Sequence, residues 1–425
     1  MADILGSGTL SCCANISNNS LAYRILVQSP SMSLRDQLEK VEQYTVEIIN
    51  GRSRTRFDRL YRAFLFFLSH AYRIAVQLRM MLYDNAILSR QNLGSFVVSV
   101  GNLTVGGTGK TPVVELLART LAARNRRIAI LSRGYRSRPR TWREKLMALF
   151  HKEHRLPPKV VSDGTKVLLD SQQAGDEPYM LARNLLANKE RTGVAVIVDK
   201  DRVYGGQFAI SQYGADTLLL DDGFQYLRLR PRINIVLVDT TNPFHNHEML
   251  PVGLLREPIE DITRADYIFL TKSTGKRNLD RLRSFLHRHN PKAPVIECNH
   301  EPRHLQDLLD GTQSPLDTLQ GKKVAAICGI AVPESFEHYL EQLGATIVYR
   351  KRFVDHHRYH ENEIRDFYNH AAQAGAELLL TTEKDAVRIP NTKFGPIPFV
   401  FLRVEINILN GQEHFDDCIR RICMR

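Results

Sequence analysis

Residues 96–120 constrain the fold more than any other part of the chain. They read FVVSVGNLTVGGTGKTPVVELLART: a strand of buried type (Phe96–Val100), a glycine-rich loop (Gly101–Gly109) and a helix opening at Lys110 and Thr111. Such a loop directs free N–H groups and the positive end of the helix dipole at one place, which favours binding of a phosphate group. We therefore predict a phosphate loop in which Lys110 contacts the β- and γ-phosphates and the Thr111 hydroxyl binds Mg²⁺.

The loop departs from the usual G-x-x-x-x-G-K-[ST] pattern at Thr104, which stands where the first glycine is expected. The alternative is a purely structural turn between a strand and a helix. Glycine, lysine and threonine at this spacing after an apolar strand are three separate requirements of a phosphate loop, which favours the nucleotide site. The predicted nucleotide-binding residues are Thr104, Val105, Gly106, Gly107, Thr108, Gly109, Lys110 and Thr111.

Charge and cysteine content narrow the classes of partner and compartment. The chain has 425 residues, enough for two or three domains, and a formal net charge of +12 that favours anionic partners: nucleotide, nucleic acid, phosphorylated substrate or an acidic membrane surface. Its six cysteines show no metal-ligand spacing, and Cys418 and Cys423 are expected on a helix face. This pattern indicates a reducing, cytoplasmic compartment.

The N-terminal region divides into two parts. Residues 1–31 lack the pattern of a secretory signal, and we expect a disordered extension or an overcalled start with Met32 as initiator. In residues 32–92, the stretch from Arg52 to Arg90 holds eight arginines, no lysine and two acidic residues among many apolar side chains. Because arginines interrupt every apolar run, we predict a pair of amphipathic helices at an anionic membrane surface; packing on the soluble domain is the alternative.

The rest of the chain alternates apolar strands with helices, which is typical of an α/β fold with a mostly parallel sheet covered by helices. We predict a core over residues 93–300, a polar linker over 301–320 and a smaller C-terminal α/β lobe over 321–425. A basic insertion at residues 139–161 is expected to be a solvated loop or a lipid contact.

Several polar residues follow predicted strands, where open α/β sheets bind ligands. Asp221 and Asp222 end an apolar strand and fit a Mg²⁺-binding role beside a phosphate loop. Arg133 and Tyr135 follow another strand. Asp176 and Glu177 open a helix, where carboxylates also serve as ordinary caps. The clusters at Arg256–Glu257, Asp355–His357 and Thr382–Asp385 identify no reaction by themselves.

Taken together, these blocks resemble the tetraacyldisaccharide 4'-kinase family of lipid A biosynthesis. The resemblance covers about residues 55–405 and is carried by VGNLTVGGTGKTP (Val100–Pro112), SRGY (Ser132–Tyr135), GDEP (Gly175–Pro178), DDGFQ (Asp221–Gln225), LPVGLLREP (Leu250–Pro258), RADYIFLTK (Arg264–Lys272), DHH (Asp355–His357) and TEKDAVR (Thr382–Arg388).

The resemblance implies a P-loop kinase core and phosphorylation of the 4'-hydroxyl of a tetraacylated glucosamine disaccharide 1-phosphate to lipid IVA. It implies ATP and Mg²⁺ as cofactors and peripheral or monotopic attachment to the cytoplasmic face of the bacterial inner membrane. No obligate protein partner and no specific nucleic acid is expected.

The resemblance also assigns roles to individual residues. Asp176 is the expected catalytic base, paired with His356, with Lys110 completing the catalytic set. The expected metal ligands are Thr111, Asp221, Asp222 and Glu257. The expected substrate-binding residues are Asn102, Arg133, Tyr135, Glu177, Gln225, Tyr226 and Arg256. Tyr226 replaces the family's usual histidine; tyrosine keeps a hydroxyl for hydrogen bonding but carries no positive charge at neutral pH.

Two rival functions remain at this stage. A membrane-recruited ATPase switch would need a lysine before Gly106 and Gly107, where this chain has Val105. A nucleic-acid-binding protein fits the basic charge, but no helix-turn-helix, zinc or base-stacking motif supports it.

Overall fold

The computed structural model describes residues 44–45, 55–134, 137, 156–187, 193–275, 278–355, 357–390 and 392–424. Three predicted features lie outside these ranges: the extension 1–31, Tyr135 and His356. Of the predicted insertion 139–161, only residues 156–161 are described.

In the described part of the chain, thirteen strands form one sheet that runs through both predicted lobes. The first seven lie in the order β7-β6-β1-β5-β2-β4-β3 and are parallel except for β3, which is antiparallel to β4. Their bounds are β1 Phe96–Asn102, β2 Ile128–Ser132, β3 Lys159–Asp163, β4 Ala195–Val198, β5 Thr217–Asp221, β6 Ile233–Asp239 and β7 Tyr267–Thr271.

The remaining strands continue the sheet as β11-β10-β12-β13-β8, with the short β9 paired to β8. A long antiparallel pairing between β8 and β13 joins the two parts, because β8 also pairs in parallel with β7. These strands are β8 Val295–Asp307, β9 Gln313–Ser314, β10 Lys323–Cys328, β11 Thr346–Arg352, β12 Leu378–Thr382 and β13 Phe399–Asn410. The stretch predicted as a linker, 301–320, is thus occupied by half of β8, by β9 and by a 3₁₀ turn at Leu316–Leu319.

Helices cover the sheet. They are α1 Arg56–Asp84, α2 Lys110–Ala122, α3 Ser171–Ala174, α4 Asp176–Ala187, α5 Arg202–Tyr213, α6 Asp280–His289, α7 Pro333–Gln342, α8 Glu361–Gln373, α9 Glu383–Ala386 and α10 Gln412–Cys423, with a further 3₁₀ turn at Ile259–Arg264. The predicted α/β class with a mostly parallel sheet is confirmed.

Within the stretch predicted to form a pair of amphipathic helices, Arg56–Asp84 is one continuous helix, α1, of 29 residues. Its start is fixed by a capping box: the Asp58 amide donates to Thr55 Oγ1 at 3.1 Å and the Thr55 amide donates to Asp58 Oδ2 at 2.9 Å. No glycine or proline interrupts the sequence before the helix ends.

The last helix, α10, belongs to the first part of the molecule although its sequence follows the second lobe. Phe415, Cys418 and Ile422 are buried in the same apolar cluster as β1 and α2. The chain therefore returns along β13 and closes over the core that carries the phosphate loop.

Candidate active site

The glycine-rich loop connects β1 to α2 at the centre of the sheet, as the sequence predicts. Gly109 caps α2 with a φ of 81°, a conformation that glycine adopts without strain. A Cβ atom added to Gly106 or Gly107 would have no other atom within 4 Å, so the space above the loop is open. The hydroxyl of Thr108 is buried without a hydrogen-bond partner in the described protein. This cradle fits a polyphosphate.

Lys110 lies at the mouth of this loop between two oxygen acceptors. Its Nζ donates to Asn102 Oδ1 at 3.2 Å and is 3.6 Å from Asp222 Oδ1. Arg256 donates to both carboxylate oxygens of Asp222 at 2.9 Å and also to the Asn102 side chain. The sequence-predicted residues Lys110, Asp222, Arg256 and Asn102 therefore meet at one point.

Asn102 occupies a supporting place in this group. Its side chain is completely buried, donates to the Thr104 carbonyl at 2.7 Å and accepts from Lys110 and Arg256. A substrate would have no access to this amide, so its placement argues against the predicted substrate contact and for a role in shaping the loop.

Asp221 ends β5, next to β1, and is the better placed of the two aspartates for a metal ion. Its Oδ2 accepts from the Ser132 hydroxyl at 3.1 Å, whereas its Oδ1 is buried without a hydrogen-bond partner in the described protein. Burial, together with the charges of Glu177 and Asp222, raises the pKa of Asp221 to about 7. A bound Mg²⁺ would supply both the missing partner and the missing positive charge.

Asp222 has the opposite surroundings. Burial raises its pKa, but the hydrogen bonds from Arg256 and the charges of Lys110, Arg256 and Arg202 outweigh burial and lower the pKa of Asp222 below its ordinary value. Its carboxylate is already engaged by cations, which leaves Asp221 as the stronger candidate for direct metal contact.

Glu257 does not join these aspartates. It is buried and paired with Arg264, whose guanidinium lies 4.0 Å from the centre of the Phe224 ring. Burial raises the pKa of Glu257 to about 7 despite this partner. Across the described residues, no group of three or more His, Cys, Asp or Glu side chains is arranged to hold a metal ion. The predicted four-ligand set therefore reduces to Thr111 and Asp221, which fits Mg²⁺ because that ion usually binds few carboxylates plus phosphate oxygens and water.

Asp176 is the first residue of α4 and is almost fully buried. Two arginines from the C-terminal part of the chain contact it: Arg388 Nε donates to Oδ2 at 2.8 Å and Arg358 Nη2 donates to Oδ1 at 3.2 Å. The predicted partner His356 lies outside the described residues. The sheet thus brings Asp176 to the junction of the two lobes, and neither arginine was identified from the sequence as an Asp176 partner.

The remaining predicted substrate residues surround this group to different degrees. Arg133 is exposed at the end of β2, and Glu177 is half-buried near Asp221. Gln225 donates from Nε2 to the Asn102 carbonyl at 3.0 Å, and its Oε1 is buried without a partner in the described protein. Tyr135 lies outside the described residues.

Tyr226 points its hydroxyl at another acidic residue. It donates to Asp201 Oδ1 at 3.0 Å, and the Arg202 guanidinium lies 4.8 Å from the centre of its ring. Burial, with the hydrogen bond to Asp201, raises the pKa of Tyr226. Arg202, which sequence reasoning missed, is buried and its Nη2 lies 3.4 Å from the Asp221 carbonyl. The DR pair at the start of α5 was the available signal.

Helix α1 is fastened to the same loops. The Ser69 hydroxyl donates to the Met249 carbonyl at 2.9 Å, the Tyr72 hydroxyl to the Arg256 carbonyl at 3.0 Å, and Arg79 to the Gln225 carbonyl at 3.0 Å. One face of α1 therefore packs beside the candidate site. Among the described residues, no helix has the length and apolar content needed to cross a membrane.

Comparison with known proteins gives one consistent result. The family model described as tetraacyldisaccharide-1-P 4'-kinase matches residues 61–423. The chain belongs to this family. It is 36% identical over 384 residues to the tetraacyldisaccharide 4'-kinase of Syntrophus aciditrophicus, covering 87% of this chain and 94% of the relative. It is 38% identical over 340 residues to the Geobacter metallireducens enzyme of that name, covering 80% and 90%.

A solved member of the tetraacyldisaccharide-1-P 4'-kinase family has the same fold. The crystal structure of LpxK from Aquifex aeolicus, an "apo" form in complex with ATP, has a TM-score of 0.64 and 28% sequence identity to this chain. The match covers 86% of this chain and all of that one. The predicted family is thereby confirmed over both lobes, which agrees with the single sheet that joins them.

Proposed function

We propose that the protein transfers the γ-phosphoryl group of ATP to the 4'-hydroxyl of a tetraacylated glucosamine disaccharide 1-phosphate, giving lipid IVA. The observation that carries this proposal is the meeting of Lys110 with Asp222 at the mouth of a phosphate loop, with Asp221 beside it. It is supported by membership of the tetraacyldisaccharide-1-P 4'-kinase family.

The phosphate chain of ATP lies along the loop from Thr104 to Thr111. Main-chain N–H groups and the N-terminus of α2 bind its oxygens, and Lys110 leaves its resting acceptors to neutralise charge that develops during transfer. Thr111 and Asp221 are the residues that would hold Mg²⁺, which would supply positive charge to offset that of the phosphates.

Asp176 accepts the proton of the acceptor hydroxyl. At the N-terminus of α4, the Asp176 carboxylate is held in place by the guanidinium groups of Arg388 and Arg358. His356 serves as its partner in this proposal, since an imidazole orients a carboxylate and shares its proton. Arg133, Glu177 and Gln225 contact the sugar and its phosphate, with Arg256 fixing Asp222 beneath them.

The direct test measures ³²P transfer from ATP to the tetraacyl disaccharide 1-phosphate by the wild type and by Asp176→Asn. We expect the variant to lose ~10²–10⁴ in kcat, the range for removal of a general base. Unchanged kcat in Asp176→Asn would refute Asp176 as base. ATP hydrolysis without labelled lipid in the wild type would instead favour an ATPase switch.

We further propose that α1 attaches the protein to an anionic membrane surface at the cytoplasmic face. Opposite the face that packs on the site, α1 carries an apolar stripe formed by Phe57, Leu60, Phe64, Phe67, Ala71, Ile74, Leu78 and Met81. The alternating spacing of three and four residues places them on one side of the helix, over a length of about 36 Å. Leu60 and Phe67 are 71% and 70% exposed.

Basic side chains border this apolar stripe. Arg59, Arg62 and Arg73 are exposed on one flank of α1, where they can reach anionic headgroups while the apolar side chains enter the lipid. The acylated substrate remains in the bilayer, because each buried CH₂ group stabilises it there by ~0.8 kcal/mol. The stripe therefore brings the site to the lipid.

Vesicle binding tests the role of the apolar stripe. Phe67→Ser should weaken binding to phosphatidylglycerol-containing vesicles by about tenfold or more, because a buried phenylalanine contributes ~1.5–3 kcal/mol. Val332→Ser, at a 54% exposed apolar residue outside the stripe, is the matched control and should bind as the wild type does. Equal binding by both variants would count against α1 as the membrane contact.

A further inference from the structure

The segment Thr382–Arg388, TEKDAVR, lies at the end of β12 and opens the short helix α9. Its charged residues reach three different parts of the molecule although it is far from the phosphate loop in sequence. Glu383, Asp385 and Arg388 are all buried, which is unusual for charged side chains unless each is paired. Their partners show what the segment holds.

Arg388 connects this segment to the candidate base. Its side chain is completely buried, and Nε donates to Asp176 Oδ2 at 2.8 Å while Nη1 donates to Asp385 Oδ1 at 3.2 Å. Asp385 is itself fixed, since its Oδ2 accepts from the Thr382 hydroxyl at 2.7 Å and from the Gly329 amide at 3.0 Å. The guanidinium is therefore held in place from behind and presents one edge to Asp176.

Glu383 fastens the helix that carries Asp176. Its Oε1 accepts from Asn184 Nδ2 at 2.6 Å, and Asn184 lies on α4, as Asp176 does. Arg403 pairs with Glu383 at 2.8 Å and also with Glu115 on α2, the helix that begins at the phosphate loop. The segment thus contacts α4 directly and is linked to α2 through Arg403.

Lys384 contacts the third component. Its Nζ is 3.5 Å from Asp355 Oδ1, and Asp355 directly precedes His356. Arg358, two residues beyond His356, is the second donor to Asp176. Of the two arginines that contact Asp176 in the described protein, Arg388 belongs to the Thr382–Arg388 segment, and Arg358 follows closely after Asp355, which Lys384 contacts.

We propose that Arg388 is a positioning residue that sets the orientation of the Asp176 carboxylate at the junction of the two lobes. This inference rests on the proposed function of Asp176. Arg388 and Arg358 donate to different oxygens of the Asp176 carboxylate, so each bond restricts the orientation of that group. A buried guanidinium with a fixed fork geometry holds the carboxylate more rigidly than an ammonium group would.

The experiment compares Arg388→Met and Arg388→Lys with the wild type in the lipid phosphorylation assay. Arg388→Met should lower kcat by about 10²-fold, the cost of a misplaced catalytic group, while KM for ATP is unchanged. Arg388→Lys restores the charge and should recover part of that kcat. The matched control is Arg352→Met, which removes an arginine paired with Glu337 and Glu334 within the same lobe and should leave kcat as in the wild type.

A double-mutant cycle separates positioning from general stability. In an Asp176→Asn background, Arg388→Met should cause no further loss of kcat, because the residue acts through the missing carboxylate. An undiminished loss in that background, or a raised KM for ATP with unchanged kcat, would overturn the proposal. If Arg388→Met does not fold, the same double-mutant cycle can be measured with Arg358→Met, because the Arg358 side chain also pairs with Asp176 and is 40% exposed. The same two outcomes apply to that cycle. Full activity of the Asp176→Asn single variant would contradict the proposal that Asp176 is the general base, but it would not contradict the contact between Arg388 and Asp176.

Discussion

Asp221 and Asp222 are neighbours in sequence, yet their carboxyl groups have opposite electrostatic surroundings. Asp222 is held by Arg256 and Lys110, whereas Asp221 is buried beside other carboxylates and has one oxygen without a partner in the described protein. The difference follows from the chain turning sharply after β5, where Asp222 takes a positive φ of 51° and points toward the cations. One residue serves as a metal ligand candidate, and the other as an anchor for Lys110.

The raised pKa of Asp221 predicts a pH-dependent cost to stability. The pKa is about 7 in the folded protein and near 3.8 when exposed, so the folded state binds the proton more tightly. Stability from this group is therefore fully present below about pH 4 and falls as pH rises to about 7. Asparagine does not ionise, so Asp221→Asn should not lose this part of the free energy of unfolding as the pH rises. At pH 8, in the absence of Mg²⁺ and nucleotide, the variant should therefore unfold at a higher urea concentration than the wild type.

The same comparison at pH 4 should show little difference between Asp221→Asn and the wild type. At about 1.4 kcal/mol for each unit between the two pKa values, the ceiling on the effect at pH 8 is about 4 kcal/mol. A wild type as stable as the variant at pH 8 would contradict the assigned ionisation.

Sequence reasoning identified candidate residues that belong to local patterns and missed those whose contacts depend on distant partners. Lys110, Thr111, Asp221 and Asp222 are recognised because their spacing follows a strand and a loop. Arg388 is 212 positions from Asp176, and no local pattern predicts that a buried arginine from the second lobe would reach the base. Tyr226 was expected from its position to contact substrate. In the structure its hydroxyl donates to Asp201, a partner that the sequence did not indicate.

Among the elements, the phosphate loop is limited by its neighbours as well as by its ligand. A Cβ added to Gly109 would stand 2.7 Å from His300 Cε1, and its φ of 81° is costly for other residues. Burial, with the charge of Lys272, lowers the pKa of His300 to about 4, so a neutral imidazole closes this side of the loop. His300 was not identified from the sequence, because it lies at the boundary between the predicted core, which ends at residue 300, and the predicted linker.

Two alanine substitutions distinguish these constraints. Gly109→Ala should destabilise the protein by about 1–3 kcal/mol and weaken ATP binding, because it strains the backbone and displaces His300. Gly107 does not have a positive φ, and no atom lies within 4 Å of the position that a Cβ would take there. The unfolding midpoint of Gly107→Ala should therefore match that of the wild type. Chemical denaturation and nucleotide titration measure both effects; equal midpoints for the two variants would disprove the predicted contact.

Strands of continuous apolar sequence were predicted closely, while elements with mixed composition were not. The strands β6 and β10 arise from apolar runs of the kind that the sequence pattern predicts, because buried parallel strands are largely apolar. The second half of β8 carries His and Glu side chains, since only part of that strand is buried, and it was predicted as a linker. The arginines of α1 interrupt its apolar pattern without breaking the helix, which is continuous over Arg56–Asp84.

For the whole molecule, the continuous sheet and one buried ionic network join the two parts. Arg403 on β13 pairs with Glu383 and Glu115, and Asn184 donates to both carboxylates. Burial raises the pKa of Glu383 even though Arg403 opposes the shift. These contacts make the second lobe part of the same folding unit as the helices that begin at the site.

Removal of this central charge should affect the entire fold. Arg403→Met leaves two buried carboxylates without their shared cation and should destabilise the protein by about 3–5 kcal/mol. Urea denaturation followed by circular dichroism should still show one transition, at a lower midpoint. Arg303→Met is a suitable control, because that arginine is 44% exposed and pairs with Glu301 and Glu405 at the surface. Separate transitions for two lobes, or equal midpoints for both variants, would contradict the coupling.

The attachment of α1 to the loops of Met249, Arg256 and Gln225 has a consequence for how the enzyme meets its lipid. If the helix lies in the headgroup layer, the catalytic loops stay at a constant height above it, and encounters take place by lateral diffusion in two dimensions. Turnover then follows the mole fraction of acceptor within the film, so inert lipid added at constant bulk acceptor slows the reaction by surface dilution.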